Sequence, residues 1–209
     1  MGPPVRIRYE DSSRAESVAR AAAALKDGAI AFLPAEGVYG YHVIPTHEQA
    51  IARLAARKRR DPAQGGKGWI ALVGRSEDAY RWVRAVPAPA AALIRAHWPG
   101  ALTLVFDAGP ALPAALRSSD GTVALRCPGS AFLRDVILAA GGLLVSTSAN
   151  DPGAPPLTSA TGPAAEAEGV GLVVDAGELS GEVSTIVSFD GEVVRILRPG
   201  AVSLAGSPP

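Results

Sequence analysis

Cysteine is almost missing from this sequence. Cys127 is the single one in 209 residues, which excludes a disulfide framework and a cysteine-cluster metal site. Histidine is nearly as scarce: His42, His47 and His97 fall in separate segments with no ligand spacing, so a histidine-based metal centre is not expected. Long apolar runs are absent as well. No stretch approaches 18 apolar residues, and the opening Met-Gly-Pro-Pro-Val-Arg-Ile-Arg offers no signal-peptide core, so a cytoplasmic chain is expected. Whole-chain disorder is excluded by 48% hydrophobic and only 19% charged residues. The common catalytic signatures are missing too, with no GxxxxGK[ST] loop, no GxGxxG after a strand, no GxSxG and no HExxH.

Net charge is zero, yet the charge is unevenly placed. Residues 1–150 hold 18 Lys and Arg against 12 Asp and Glu, a net of +6, while residues 151–209 hold 2 against 8, a net of −6. Such asymmetry points to an anion handled by the first part of the chain. Strand and helix patterns alternate continuously. Strands are expected at 5–9, 29–33, 40–43, 69–73, 101–106, 122–126, 143–146 and 170–175, and a hairpin at 184–197 around Asp190-Gly191. Ser13-Arg14-Ala15-Glu16 and Thr46-His47-Glu48-Gln49 read as capping boxes opening two helices, and Gly28 as a left-handed C-terminal cap. Further helical stretches are expected near 78–83, 88–96 and 130–140, with a polar turn from Thr147 to Gly162. No internal repeat or linker interrupts the series, so the expectation is one α/β domain over 1–209.

The residues able to carry chemistry are polar groups at strand and helix ends. Arg57-Lys58-Arg59-Arg60 closes a helix, and Lys67 lies across a glycine-rich loop. Cations there complement the helix dipole, but four in a row exceed that need and suit a polyphosphate. Lys58 and Arg60 are expected to face solvent. Ser146-Thr147-Ser148-Ala149-Asn150 follows a buried-type strand and offers hydroxyl, amide and backbone donors. Arg126 and Arg198 end strands, where a guanidinium can fork onto a carboxylate or phosphate. Cys127 reads as a small buried filler. With no close carboxylate pair, the set favours a reaction run by positioning and charge neutralisation, as in phosphoryl or nucleotidyl transfer.

Taken in order, Pro34-Ala35-Glu36-Gly37-Val38-Tyr39-Gly40, Lys58-Arg59-Arg60, Trp98-Pro99-Gly100-Ala101-Leu102-Thr103, Arg126-Cys127-Pro128, the STSAN run at 146–150, Ser184-Thr185-Ile186-Val187 and Leu197-Arg198-Pro199-Gly200 resemble the YrdC-like family. The resemblance covers about residues 14–202 and implies a twisted mixed α/β sheet with flanking helices around a concave central cavity. It implies an L-threonylcarbamoyladenylate synthase, a nucleotidyltransferase that makes threonylcarbamoyl-AMP and pyrophosphate from L-threonine, bicarbonate and ATP. Magnesium would arrive on the triphosphate, and partner enzymes would pass the threonylcarbamoyl group to tRNA.

By position, the resemblance places Lys58 and Arg60 on the ATP phosphates as the catalytic cations. Thr122, Ser148, Asn150 and Arg198 would line the nucleotide site. Arg126 would take the threonine carboxylate, with Tyr39, Lys67, Ser146 and Ser184 completing that pocket. The sequence departs from the family at Ala35, where Thr is usual, at Gly37, where Thr or Ala is common, at Trp69, where an aliphatic residue is expected, and in a longer 58–67 loop. Two other readings stay open: a YrdC-like protein acting on another amino acid or carbamoyl phosphate, and a non-catalytic RNA-binding or ribosome-assembly factor. The second is disfavoured by zero net charge and the lack of aromatics in the basic run.

Overall fold

The computed structural model describes residues 2–59, 69–151 and 153–204. Alternating strands and helices build one mixed sheet. The strands are β1 (Val5–Arg8), β2 (Ile30–Pro34), β3 (Tyr39–Val43), β4 (Ile70–Val73), β5 (Leu102–Asp107), β6 (Thr122–Arg126), β7 (Leu143–Ser148), β8 (Val170–Asp175), β9 (Thr185–Asp190) and β10 (Val193–Arg198). The helices are α1 (Arg14–Lys26), α2 (Glu48–Arg57), α3 (Ala88–His97) and α4 (Ala131–Ala139). Strand order is β1-β8-β2-β3-β7-β4-β6-β5-β9-β10. The pairs β1/β8, β2/β8, β4/β6 and β5/β9 are parallel and the rest antiparallel. Among the described residues no helix is long and apolar enough to cross a membrane.

The central strands are apolar on both faces because both faces are covered. In β2, Ala31 and Leu33 meet Leu25 of α1 and Leu133, Val136 and Ile137 of α4. Ile30 and Phe32 point the other way, into a larger core with Tyr39, Tyr41 and Leu54 of α2. Phe32 stacks on Tyr39 at 5.2 Å and meets Tyr41 edge-on at 5.6 Å. Each such buried side chain contributes about 1.5–3 kcal/mol of transfer free energy, and the aromatic pairs somewhat more.

Local signals are refined in several places. Gly28 adopts φ +78° and ends α1 as its lack of a side chain allows. Neither capping box forms. The Ser13 hydroxyl donates to Glu10 O within a preceding 3₁₀ turn, and α2 starts at Glu48 after His47, without a side-chain cap. The stretch near 78–83 is a 3₁₀ turn, Ser76–Arg81. The most consequential difference is β7, which continues to Ser148 because β3 pairs with it to the end: Gly40 opposes Ser148, Tyr41 opposes Thr147 and His42 opposes Ser146. Strand periodicity then turns Ser146 and Ser148 to one face and Thr147 to the other.

Candidate active site

A cavity of about 350 Å³ opens over the middle of the sheet. Its floor is the face of β3 and β7 that carries Gly40, Ser146 and Ser148, and Ile70 of β4 borders it. A side chain at Gly40 would be crowded, since a Cβ there would lie 3.1 Å from Thr147 O and 3.0 Å from the His42 ring. Three connections wall the cavity: the turn after β2, the end of β6, and the segment before β9. The first and third touch. Gly181 N–H donates to Gly37 O at 2.7 Å, and a Cβ on Gly37 would lie 2.1 Å from Glu182 O. Glycine at 37 is therefore required by backbone packing in this chain.

On one side, Lys58 caps the C-terminus of α2 and turns over the end of β7. Its Nζ donates to Ser148 O at 3.1 Å, to Asn150 O at 2.6 Å and to Asn150 Oδ1 at 3.3 Å. Lys58 is buried, contrary to the expectation of a solvent-facing side chain, because these carbonyls replace its water. Asn150 is itself held, accepting from the Ser148 hydroxyl and donating to Ala154 O. Arg57 braces the same turn from behind, through Tyr41 Oη at 2.9 Å and Asp151 at 3.8 Å.

Two guanidinium groups occupy the opposite side. Arg126 ends β6 with only 10% of its side chain exposed. Its Nε donates to Gly100 O at 2.9 Å, and Gly100 N–H returns a bond to Cys127 O at 2.9 Å. Arg126 Nη2 pairs with the Glu36 carboxylate, whose other oxygen accepts the Gly129 N–H. Burial, and secondarily the charge of Arg198, pushes the Arg126 guanidinium down to about 10, which leaves it cationic at neutral pH. Arg198 reaches the cavity because the β9/β10 register shifts between Ile196 and Arg198, a bulge that re-aims the side chain. Its guanidinium is already engaged: Nε and Nη2 donate to Ser184 O at 3.2 and 2.7 Å, and Nη2 also to Ser184 Oγ at 3.1 Å. Ser184 Oγ in turn meets Thr103 Oγ1 at 2.9 Å.

Of the residues singled out in the sequence, Tyr39, Lys58, Arg126, Ser146, Ser148, Asn150, Ser184 and Arg198 line this one cavity. Tyr39 does so as a wall: its ring is fully buried, and its hydroxyl donates to Gly177 O at 2.7 Å and accepts from Ala176 N at 2.9 Å. Thr122 is elsewhere. It starts β6, at the opposite end from Arg126; its hydroxyl donates to Asp120 at 2.7 Å, and it lines a separate pocket beside Phe106 and Phe189. Arg60 and Lys67 lie outside the described residues. Glu36 was not singled out, although it stands inside the Pro34–Gly40 motif; a lone carboxylate in an anion-handling segment was the available signal.

His42 shares the face of Gly40 and Ser146 and is fully buried beside the floor, its Nε2 3.2 Å from Ser146 Oγ. Complete burial lowers its pKa to about 4, so the ring is neutral at pH 7. In the unfolded chain the same group titrates near 6.5. The unfolded state therefore binds more protons between those values, and stability should fall as pH drops from about 6.5 to 4, by roughly 3 kcal/mol in full. His42→Gln is expected to flatten the melting midpoint against pH over that window. Parallel profiles for the two proteins would show that His42 titrates normally.

Chemically, the cavity concentrates an ammonium, two guanidinium groups and several hydroxyl donors in a partly dehydrated recess. Among the described residues its lining holds no histidine or cysteine, and no cluster of metal-ligating side chains is present. Two carboxylates, Glu36 and Glu182, line it as well, so its charge is mixed with cations in excess among the described residues. A family model described as "Telomere recombination", named for Sua5, YciO and YrdC, matches residues 23–200. The chain belongs to the Sua5/YciO/YrdC family. Over 147 residues, 70% of this chain and 77% of the relative, it is 40% identical to the threonylcarbamoyl-AMP synthase of Chromohalobacter salexigens. Sua5 from P. abyssi superimposes with a TM-score of 0.86 and 27% identity in one structure, covering 96% of this chain and 61% of that one. The P. abyssi Sua5 complex with L-threonine gives 0.82 and 26%, covering 95% and 58%. This chain thus spans about three fifths of the Sua5 chains, and the mixed sheet with flanking helices is the part they share.

Proposed function

We propose that this member of the Sua5/YciO/YrdC family is a threonylcarbamoyl-AMP synthase, a transferase that joins L-threonine, bicarbonate and ATP to give threonylcarbamoyl-AMP, pyrophosphate and water. The observation that carries this reading is the division of one cavity into two cationic ends. Lys58 stands at the hydroxyl-rich end of β7 on one side, and Arg126 and Arg198 stand together on the other, Arg126 with its carboxylate partner. The names of the relatives agree with it.

The chemistry asks little acid–base work of the protein. The threonine ammonium first gives up a proton to solvent, the amine takes the bicarbonate carbon with loss of water, and the N-carboxylate so formed is an anionic oxygen nucleophile; that oxygen attacks the α-phosphorus, the bond to the β-phosphate bridging oxygen breaks, and pyrophosphate departs. Two anions must be brought together, and charge grows on the leaving pyrophosphate. Lys58 and Arg60 supply cations to the phosphates, Ser148, Asn150 and Arg198 position the nucleotide, and Arg126 takes the amino-acid carboxylate beside Ser146 and Ser184. Magnesium enters with the triphosphate as part of the substrate. The mixed anhydride formed is an activated acyl donor, suited to transfer onto the amino group of an adenosine in tRNA. Pyrophosphate release with ATP, bicarbonate and each amino acid in turn tests the reading. Release that depends on threonine supports it, and release with none overturns it.

Ala35 offers a finer test. It lines the cavity, and its N–H donates to Val38 O at 3.0 Å, so the turn that carries it is already ordered. A hydroxyl there adds one neutral hydrogen bond to substrate, worth about 0.5–1.5 kcal/mol. Ala35→Thr is expected to lower the KM for threonine by about threefold to tenfold. No change in a protein active with threonine would show that Ala35 does not touch the substrate.

A further inference from the structure

Glu36 is a carboxylate placed where anions must bind. It shares the cavity with Lys58, Arg126 and Arg198, and the other acidic lining residue, Glu182, lies on the exposed rim. The position is constructed. One Glu36 oxygen takes the Gly129 N–H and the other faces Arg126 Nη2, and a Cβ on Gly129 would lie 2.6 Å from the first oxygen. The backbone has thus been kept bare to admit it. For a triphosphate or a carboxylate alone, a fixed negative charge at this depth is repulsive. It becomes favourable when the ligand presents a cation directly beside the anion that it seats on Arg126.

A free α-amino acid does so, with ammonium and carboxylate on one carbon. Arg126 and Glu36 form the complementary pair, guanidinium beside carboxylate, already in contact. Arg126 Nε is committed to Gly100 O and Nη2 to Glu36, so a ligand carboxylate seated on the remaining edge places its neighbouring ammonium toward Glu36. Resting on the amino-acid reading above, we infer that Glu36 recognises the substrate ammonium and makes the cavity selective for free α-amino acids over acids lacking the amine.

The test compares calorimetric binding of L-threonine with that of its α-hydroxy analogue, 2,3-dihydroxybutyrate, to the intact protein. Wild type should prefer threonine by at least about tenfold. Glu36→Gln keeps the shape and the acceptor for Gly129; it should bring the two affinities within about threefold and leave ATP affinity unchanged. Glu36→Asp keeps the charge and should retain the preference. Equal loss of both ligands in Glu36→Gln would reduce Glu36 to a neutraliser of Arg126 and overturn the inference, as would equal binding of both ligands by wild type. Wild type that binds no free amino acid overturns the function proposed above and this inference with it, and that result is read before any variant is made.

Discussion

Lys58→Ala is expected to slow adenylate formation by about 10²-fold or more, on the order of 3 kcal/mol of lost charge stabilisation. The ammonium is fixed before substrate arrives, tied to Ser148 O and Asn150 O at the lip of the cavity. A preorganised cation costs no reorganisation as charge builds on the departing pyrophosphate, which is why its removal should lower turnover more than ATP affinity. The same bonds predict a structural effect. Without Nζ, two carbonyls and the Asn150 side chain lose a charged donor, and water entering the cavity replaces only part of it. A loss of about 1–2 kcal/mol, or roughly 2–8 °C in melting midpoint, should accompany the kinetic defect. Single-turnover pyrophosphate release at saturating ATP separates the two, since a protein still folded at the assay temperature reports only the chemistry. Unchanged turnover would remove Lys58 from the phosphates.

The order of elements was legible because the central strands carry apolar runs facing both ways, as β2 and the first half of β7 do, and each helix carries an apolar stripe. What escaped depends on neighbours distant in sequence. Ser146, Thr147 and Ser148 have turn-like composition, yet β3 supplies partners for their backbone and keeps them in a strand. Ser13 looked like a cap, but the Glu10 carbonyl takes its hydroxyl within the same turn. The cationic half of the cavity could be read from residue type and position at strand ends. Its acidic member left only a weak signal, a lone carboxylate inside the Pro34–Gly40 motif, because its partners are Arg126 and Gly129, the latter 93 residues away. Thr122 stands apart from the cavity for a geometric reason. It and Arg126 are opposite ends of one five-residue strand, and a rise of about 3.3 Å per residue puts them on the order of 13 Å apart. A cavity at one end does not reach the other.

Arg126→Lys should raise the KM for threonine by about tenfold to a hundredfold while changing the KM for ATP by less than about threefold. The charge is kept, so the effect isolates geometry. Three directions of the Arg126 fork are in use or available: Nε to Gly100 O, Nη2 to Glu36, and a remaining edge for the substrate carboxylate. An ammonium is a point donor on a flexible stem. It can satisfy Glu36 or the ligand with good geometry, but not both while also replacing the bond to Gly100. Lysine will settle on Glu36, the partner always present, and the incoming carboxylate loses a charge-assisted pair worth about 1.5–3 kcal/mol. Stability should fall less than in Arg126→Ala, which leaves the Glu36 carboxylate without its counter-charge. Relieving that competition gives an internal check. In the Arg126→Lys background, Glu36→Gln frees the lysine and should recover part of the carboxylate affinity, so the two substitutions should be non-additive for binding of 2,3-dihydroxybutyrate, which carries the carboxylate alone. Threonine KM values within twofold of wild type in Arg126→Lys would show that the substrate carboxylate is held elsewhere.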